Sequence, residues 1–277
     1  MNKIISFDLK ADFGFLKKPD TNDPMYLTFN MLHKPALLGI LGAIVGLGGF
    51  SEAKEEEVQQ KTEKGKKKKY ILPEYYRELH DLKVGISPLN APNGSFQKTI
   101  IKYNNAVGYA NEDANKNGAT LNIVEQTLIK PSYCCYLLLD NNNLLHKKIK
   151  DYIENSKAEF LPYLGKNDFS IWWDNVQVYE AKPYEILEKG FKLNTIFIKE
   201  ETLKDGVVRS RGFKPKPTQN SKFMYFENLP IGYNPDLMQY DYAPFALTDW
   251  ELQADYQVND IYEIQSQQHG KEIIQLF

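Results

Sequence analysis

Apolar and polar residues alternate near the start of the chain, in the stretch KIISFDLK at residues 3–10. Ile5, Phe7 and Leu9 fall on one face of an extended backbone, and Ser6 and Asp8 fall on the other. Alternation with a period of two is typical of a strand with one buried face. The pattern therefore predicts a half-buried strand, and the turn-forming residues that follow predict a loop.

A long apolar stretch, Ala36–Phe50, follows this loop and predicts a buried helix. Pro35 suits the first turn of a helix and Gly48-Gly49 its end. Glycines at 39, 42 and 46 share one side, and each costs up to ~1 kcal/mol relative to alanine in a helix. We therefore expect this side to lie against another backbone. The stretch is about 15 residues long, whereas roughly 20 are needed to span a bilayer, so no membrane span is predicted.

The rest of the first half completes an order of elements that belongs to one fold class. Residues 51–70 are almost entirely charged or polar and predict a solvated insert. The further predicted elements are a short helix at 73–81, a strand at 82–89, a projecting hairpin at 91–126 with strands from Gln97 and from near Thr120, a strand at 127–140, a helix at 144–157 and a strand at 169–181. The order β-α-β-β-α-β, with the hairpin inserted, predicts a ferredoxin-like or RRM-type domain over residues 1–181.

Residues 182–277 show short strand patterns and many aromatic residues, without a long periodic helix. They predict a smaller, β-rich C-terminal region packed on the first domain, and an α+β protein as a whole.

Charge and cysteine usage narrow the classes of function. The net charge is −2 and the pI about 6.1, so a nucleic-acid site would have to be a local basic patch. Cys134 and Cys135 are adjacent, which is poor geometry for a mutual disulfide, and the four histidines do not supply zinc-ligand spacing. We expect no metal or cofactor. The reduced cysteines and the absence of a signal-peptide pattern in MNKIISFDLKADF predict a cytoplasmic protein.

Three stretches together resemble one known family. They are SFDLKADFGFLKKPDTNDPMYLTFNMLHKPALLGILGAIVGL (6–47), PYLGKNDF (162–169) and YFENLPIGYNPDLMQYDYAPFAL (225–247). Their order and content resemble the fifth family of CRISPR-associated proteins (Cas5), in the RAMP superfamily, and the lysine-rich insert is most similar to forms from type I-B systems. The resemblance covers most of the chain outside 51–70 and 104–120.

This resemblance implies a function as well as a fold. It implies an RRM-like domain with the hairpin as a thumb, in a subunit of the CRISPR RNA-guided surveillance complex (Cascade). Such a subunit would bind the 5′ handle of the crRNA, cap the backbone of the complex, and contact the large subunit and the terminal backbone subunit. In most type I systems the family is not catalytic. In the type I-C lineage it cuts the precursor RNA.

The loop between the first strand and the first helix carries residue types that suit single-stranded RNA. Cations bind phosphates, aromatic faces stack on bases, and amides or hydroxyls read base edges and 2′-hydroxyls. The candidates here are Lys17, Lys18, Tyr26, Thr28, Asn30, His33 and Lys34. The alternative is a solvated polar loop.

Further candidates lie on the hairpin and after the second helix. They are Lys98, Lys102, Tyr103, Gln126 and Lys130 on the hairpin, and Gly165 and Lys166 in a glycine-containing loop of the kind that RAMP proteins share. Lys98 and Lys102 point to one face of a strand and would track a phosphate backbone. The alternatives are an ordinary exposed strand face and a plain helix stop.

Two other basic clusters are less informative. Lys66–Lys69 could touch phosphate or be a solvated run, and Arg209, Arg211, Lys214 and Lys216 could contact RNA, target DNA or the large subunit. Trp172 and Trp173 are adjacent, so a strand would send one inward and one outward.

The sequence favours a non-catalytic RNA-binding subunit over an enzyme. A metal-independent ribonuclease, which is the alternative, could use His33 as a base beside Tyr26 and Lys34. However, the first hairpin strand holds Lys98 and Tyr103 but no histidine, so cleavage is not expected. A general protein-interaction module is a third possibility, which a lack of RNA affinity would reveal.

Overall fold

The structure, a computed structural model, describes residues 2–19, 25–53, 71–105, 121–186, 190–202, 208–210, 212–219, 221–266 and 270–277. Its helices are α1 (Lys34–Val45), α2 (Glu74–Leu79) and α3 (Leu144–Glu154). Its strands are β1 (Asn2–Ala11), β2 (Phe13–Gly14), β3 (Val84–Pro88), β4 (Lys98–Asn105), β5 (Leu121–Ile129), β6 (Ser132–Asp140), β7 (Ile171–Glu180), β8 (Lys182–Pro183), β9 (Phe197–Ile198), β10 (Glu200–Thr202), β11 (Val208–Ser210), β12 (Met224–Asn234), β13 (Gln239–Thr248), β14 (Ile261–Ser266) and β15 (Gly270–Gln275). Together they form an α+β protein in which antiparallel strands dominate, as the sequence predicts.

A four-stranded antiparallel sheet is the centre of the N-terminal half, with the strand order β3-β6-β1-β7. Ile5, Phe7 and Leu9 of β1 face the main hydrophobic core, where they join apolar residues of α1 and α3. The predicted strand at 3–10 is therefore confirmed with the predicted face buried, but it is not half-buried, because Ser6 on the other face is only 3 % exposed. The predicted strands at 82–89 and 169–181 and the helix at 73–81 are also present, with ends shifted by a few residues.

Helix α1 begins where the sequence predicts and ends earlier. His33 is its N-cap and Pro35 lies in its first turn, but Gly46 at φ 79° ends it, so the predicted end at Gly48-Gly49 is wrong. The expected close approach on the glycine side is confirmed. A Cβ on Gly42 would lie 2.4 Å from Cβ of Tyr75 on α2, which leaves room only for glycine. Among the described residues, no helix is long and apolar enough to cross a membrane.

The apolar run 127–140 is two strands and not the single strand that the sequence predicts. Residues up to Ile129 belong to β5 of the hairpin, and β6 begins at Ser132. Lys130 at φ 47° and Pro131, which has no N–H to donate, break the run between them. Helix α3 is capped by the Asn143 side chain, as expected, but ends at Glu154 and not at residue 157.

The hairpin is formed by β4 and β5, which pair in the register Lys98↔Leu128 to Asn105↔Leu121. Its return strand starts close to the predicted position. The short strand β2 pairs with the other edge of β5 and attaches the hairpin to the end of β1. The predicted hairpin tip falls largely on residues 106–120, and most of the charged insert falls on 54–70. Both ranges lie outside the described residues.

The C-terminal residues add small antiparallel sheets, in the orders β12-β13-β9, β15-β14-β8 and β10-β11. Their apolar residues do not form a wholly separate core. Leu229 and Phe245 belong to the main core together with β1 and α1. Ile264 and Ile274 instead pack against Ile4 on the other face of the central sheet. C-terminal residues therefore pack against both faces of the central sheet.

Candidate nucleic-acid interface

The loop between β1 and α1 lies along the return strand of the hairpin. The Tyr26 amide donates to the Val124 carbonyl at 2.9 Å, and the Gln126 amide donates to the Tyr26 carbonyl at 2.9 Å. Lys17 and Thr28 form an isolated antiparallel β-bridge within the loop. The fold thus places Tyr26 of the loop directly beside Val124 and Gln126 on the return strand of the hairpin.

A cation and an aromatic ring lie together at the edge of this surface. The Lys17 ammonium lies 4.0 Å from the centroid of the Tyr26 ring. Lys17 is exposed and Tyr26 is half-buried, so the backbone pairing fixes the ring while the ammonium faces solvent. This contact is a cation–π interaction, worth about 0.5–1 kcal/mol at an exposed site.

A second lysine and tyrosine meet over a buried carboxylate. Lys166 Nζ lies 2.6 Å from Oε1 of Glu125 and 3.2 Å from the Tyr103 hydroxyl, and 4.5 Å from the centroid of the Tyr103 ring. Glu125 is 1 % exposed. Burial alone would lower the pKa of Lys166, but the hydrogen bonds to Glu125 and Tyr103 outweigh it and raise the pKa. Lys166 is therefore a fixed ammonium. We call Lys17, Tyr26, Tyr103, Glu125 and Lys166 the hairpin surface.

Gly165 is what allows Lys166 to reach the hairpin. It adopts φ 85°, and a Cβ there would lie 1.7 Å from the Phe15 carbonyl oxygen. The Phe15 amide donates to the Leu164 carbonyl at 3.1 Å, so the loop is hydrogen-bonded to the residues that follow β2. A left-handed conformation and a backbone contact this close both require glycine.

A carboxylate from β12 holds the other end of the β1–α1 loop. Glu227 accepts from the backbone amides of Asn30 and Met31, at 3.1 Å each, and pairs with Lys18 at 3.4 Å. Burial lowers the pKa of Lys98, while Glu227 opposes that shift and Lys18 adds to it. Glu227 thus links Lys18 and Lys98 electrostatically. Sequence reasoning missed both Glu125 and Glu227, because a single acidic residue in a strand gives no signal of its distant partners.

Thr28 and Asn30 are buried and form internal hydrogen bonds. Thr28 Oγ1 accepts from the Leu16 amide at 2.9 Å and donates to the Phe29 carbonyl at 2.9 Å. Asn30 donates from Nδ2 to the Gly94 carbonyl and accepts at Oδ1 from the Phe96 amide, at 2.8 Å each. Thr28 thus stabilises the loop itself, and Asn30 attaches the loop to the residues before β4.

His33 and Lys34 lie away from the hairpin surface. His33 Nδ1 accepts from the Ala36 amide at 3.3 Å, and burial lowers the pKa of His33 to about 3, so the imidazole is neutral. The Lys34 ammonium lies 3.4 Å from the Phe277 carbonyl oxygen, and burial lowers its pKa to about 8. His33 therefore caps the start of α1, and Lys34 lies beside the C-terminal residue.

The remaining hairpin candidates are spread along its two strands. Lys102 is exposed opposite Val124, and Gln126 lies opposite Ile100. Lys130 is exposed at the end of β5.

Several other predicted features have definite outcomes. Trp173 donates to the Ile153 carbonyl at 3.0 Å, while Trp172 is 45 % exposed, which confirms that one points inward and one outward. Lys214 and Lys216 are exposed. Lys66–Lys69, Arg211 and the side chain of Arg209 lie outside the described residues. Within the described part of the chain, no three His, Cys, Asp or Glu side chains are grouped as metal ligands.

Comparison with known proteins gives structural neighbours only. No protein-family model matches the sequence, and no curated protein matches it. Among solved structures, the chain is similar to a CRISPR protein from Archaeoglobus fulgidus, with 13 % identity, 99 % of both chains covered and a TM-score of 0.46. It is also similar to a chain of a CRISPR RNA-guided surveillance complex, with 13 % identity, 91 % of this chain and 92 % of that chain covered, and a TM-score of 0.45. A third neighbour, a Cas protein, has 10 % identity and a TM-score of 0.37, with 92 % of this chain and 98 % of that chain covered.

These three neighbours carry names of the class that the sequence resemblance leads us to expect. At these identities and TM-scores, the alignments by themselves assign neither a fold nor an activity to this chain.

Proposed function

We propose that this chain is a non-catalytic subunit of a type I CRISPR RNA-guided surveillance complex, of the type I-B kind, that binds the 5′ handle of the crRNA. The observation that carries the proposal is the pairing of Lys17 with Tyr26 and of Lys166 with Tyr103 on one surface. Cations and aromatic faces held side by side are what single-stranded RNA needs for its phosphates and its unstacked bases. The sequence resemblance supplies the identity of that RNA.

The proposal gives the candidate residues different roles. Lys17, Lys102, Lys130 and Lys166 would meet phosphates, and Tyr26, Tyr103 and Gln126 would meet bases. Thr28, Asn30 and Gly165 would shape the surface from within, since their contacts are internal. Lys18 and Lys98 would place donors near the RNA, while Glu227 beside them offsets one of their two positive charges. His33 and Lys34 would support α1 and take no part in RNA binding.

The architecture is consistent with the same proposal. Taken in chain order, the four strands of the central sheet lie in the spatial order second, third, first, fourth, with α1 and α3 in the two crossovers. We propose that this unit is a ferredoxin-like, RRM-type domain over 1–181 with the β4–β5 hairpin as a thumb, and that 182–277 form a β-rich region. The large subunit and the backbone subunit would be its protein partners, in the cytoplasm.

The absence of catalysis is part of the proposal. A metal-independent ribonuclease needs a base for the 2′-hydroxyl near neutral pH. The raised pKa of Lys166 keeps that amine protonated, and His33 is buried with its Nδ1 already accepting a hydrogen bond. The other described histidines, His80 and His146, lie on or beside α2 and α3, away from the hairpin strands.

Fluorescence anisotropy at fixed salt tests the RNA-binding role. The probe is a labelled RNA that carries the 5′ handle of a type I-B repeat. We expect Lys17→Ala combined with Tyr26→Ala to weaken binding by about 1–3 kcal/mol, the usual cost of one lost stacked base. The matched control is Lys147→Ala, which removes an exposed lysine from α3. Equal affinities of the folded double variant and the control would refute the assignment of this surface.

A single-turnover assay with the full repeat RNA in EDTA tests the absence of catalysis. We expect intact RNA. Site-specific products that vanish in Tyr103→Phe or Lys166→Ala would establish the endoribonuclease alternative instead.

A further inference from the structure

The central sheet has a second face, away from α1 and α3, that is only partly covered. Ser6 and Asp8 of β1 point to this face, because Ile5, Phe7 and Leu9 point to the helices. At one end of the face, Ile4 and Tyr136 pack beneath residues of β14 and β15. Beyond that end, the described residues leave part of the sheet open.

The open part forms a groove of about 420 Å³, which we call the sheet groove. All four strands of the central sheet line it, and residues 194, 266 and 272 form its rim. Its lining is mostly polar, with the amides of Asn175 and Gln177, the rings of Tyr136 and Tyr179, and the carboxylate of Asp8. A groove of this size with a few convergent polar groups suits a small polar ligand.

The charge of the lining has one sign. Asp8 and Glu272 line the groove, and none of the described lining residues is a lysine or an arginine. Lys10, two residues beyond Asp8 on the same face of β1, is held by both oxygens of Asp174 at 2.7 and 2.8 Å. Asp8 accepts from Asn175 Nδ2 at 3.2 Å. A phosphate would meet repulsion here, whereas a cation would find a carboxylate held partly out of water.

The burial of the Asp8 carboxyl also favours a cationic ligand in the sheet groove. Desolvation raises the pKa of this carboxyl, against the lowering effects of the Asn175 amide and of Lys10. The raised pKa means that the charges and dipoles around Asp8 do not fully offset its burial.

We propose that the sheet groove is a docking site for an arginine side chain of a partner protein. A guanidinium is flat and always charged, and it presents donors in a fork that matches a carboxylate. It also stacks on aromatic rings, which the half-buried Tyr179 supplies, and it donates to amide oxygens, which Asn175 and Gln177 supply. A lysine ammonium is charged but not planar, and a nucleobase is planar but uncharged, so neither matches both features of the groove.

The sheet groove and the hairpin surface use different residues, so the two proposals can fail separately. The test is a titration of the ¹⁵N-labelled full chain with N-acetyl-arginine amide, followed by amide chemical shifts. N-acetyl-citrulline amide, which has nearly the same shape without the charge, and cytidine are the comparison ligands. We expect saturable shifts at Asp8, Cys134 and Gln177 with the arginine probe, and affinity weaker by roughly fivefold or more with citrulline.

Variants locate the site. Asp8→Asn should abolish the saturable shifts, whereas Asp236→Asn, which removes an exposed carboxylate between β12 and β13, should leave them unchanged. Equal affinities for arginine and citrulline on the unmodified protein, saturation by cytidine at the same signals, or retained binding in folded Asp8→Asn would each overturn the proposal. If Asp8→Asn does not fold, the comparison of arginine with citrulline decides alone.

Discussion

The pair of Lys166 and Glu125 gives the sharpest test of the energetics of the hairpin surface. Replacing Lys166 with methionine keeps most of the apolar stem and removes the ammonium. Glu125 would then be a buried carboxylate without the cation that lies 2.6 Å from it. Removing one partner of a buried ion pair costs about 3–5 kcal/mol, because the other charge remains desolvated. The Lys166 side chain is 23 % exposed, so we expect a cost near the lower end of this range, roughly 3 kcal/mol at pH 7.

Urea unfolding followed by tryptophan fluorescence measures this cost, provided that the slope of the transition is unchanged between variants. The matched control is Lys150→Met, which breaks the surface pair with Glu154 at 2.8 Å. Surface pairs of this kind contribute about 0–1 kcal/mol. The second arm is Glu125→Gln combined with Lys166→Met, which removes both charges.

The double variant should recover much of the stability that Lys166→Met loses, because no buried charge remains in it. Two results would refute this reasoning. One is a cost for Lys166→Met no larger than that for Lys150→Met. The other is a double variant that is no more stable than Lys166→Met.

Two further predictions concern single residues of the fold. Burial lowers the pKa of His33 to about 3, whereas the unfolded chain has a histidine pKa of about 6.5. Between these two values the unfolded state binds a proton that the folded state does not bind. The free energy of unfolding should therefore decrease as the pH falls from 6.5 towards 3, by at most about 1.4 kcal/mol per pH unit. Asparagine also caps helices, so thermal melts of His33→Asn should lack this part of the pH dependence, and identical pH profiles for both proteins would contradict it. Gly165→Ala should destabilise the fold by more than about 1 kcal/mol and weaken handle binding, since its Cβ would lie 1.7 Å from the Phe15 carbonyl oxygen. Gly49→Ala, where the nearest atom is 3.6 Å away, is the control, and equal melting temperatures of the two variants would contradict the prediction.

Local sequence pattern predicts the elements whose cause is local. The alternation of Ile5, Phe7 and Leu9 identifies β1 and its buried face, and Pro35 identifies the start of α1. Residue type does not determine the end of α1, because Gly46 and Gly48 suit a helix C-terminus equally well. Only the left-handed backbone of Gly46 distinguishes them.

Long-range partners explain most of what sequence pattern did not predict. Thr28 and Asn30 have residue types that suit RNA, yet their partners are backbone groups up to 66 residues away. Glu227 contacts the β1–α1 loop across nearly 200 positions, 197 to Asn30. The same holds for Glu125 and Lys166, which lie 41 positions apart. Nothing in the neighbouring residues of either carboxylate marks it as an anchor for a lysine.

The pairing of lysines with internal carboxylates also affects how RNA binding would respond to salt. Counterions are released from RNA only where a protein cation newly neutralises a phosphate, so the salt dependence counts such cations. Lys166 is already neutralised by Glu125, and Lys18 by Glu227. These two lysines would bring donors to fixed positions while contributing little net positive charge. The hairpin surface would then bind RNA with a shallower salt dependence than its number of lysines suggests, and with more of its affinity in stacking.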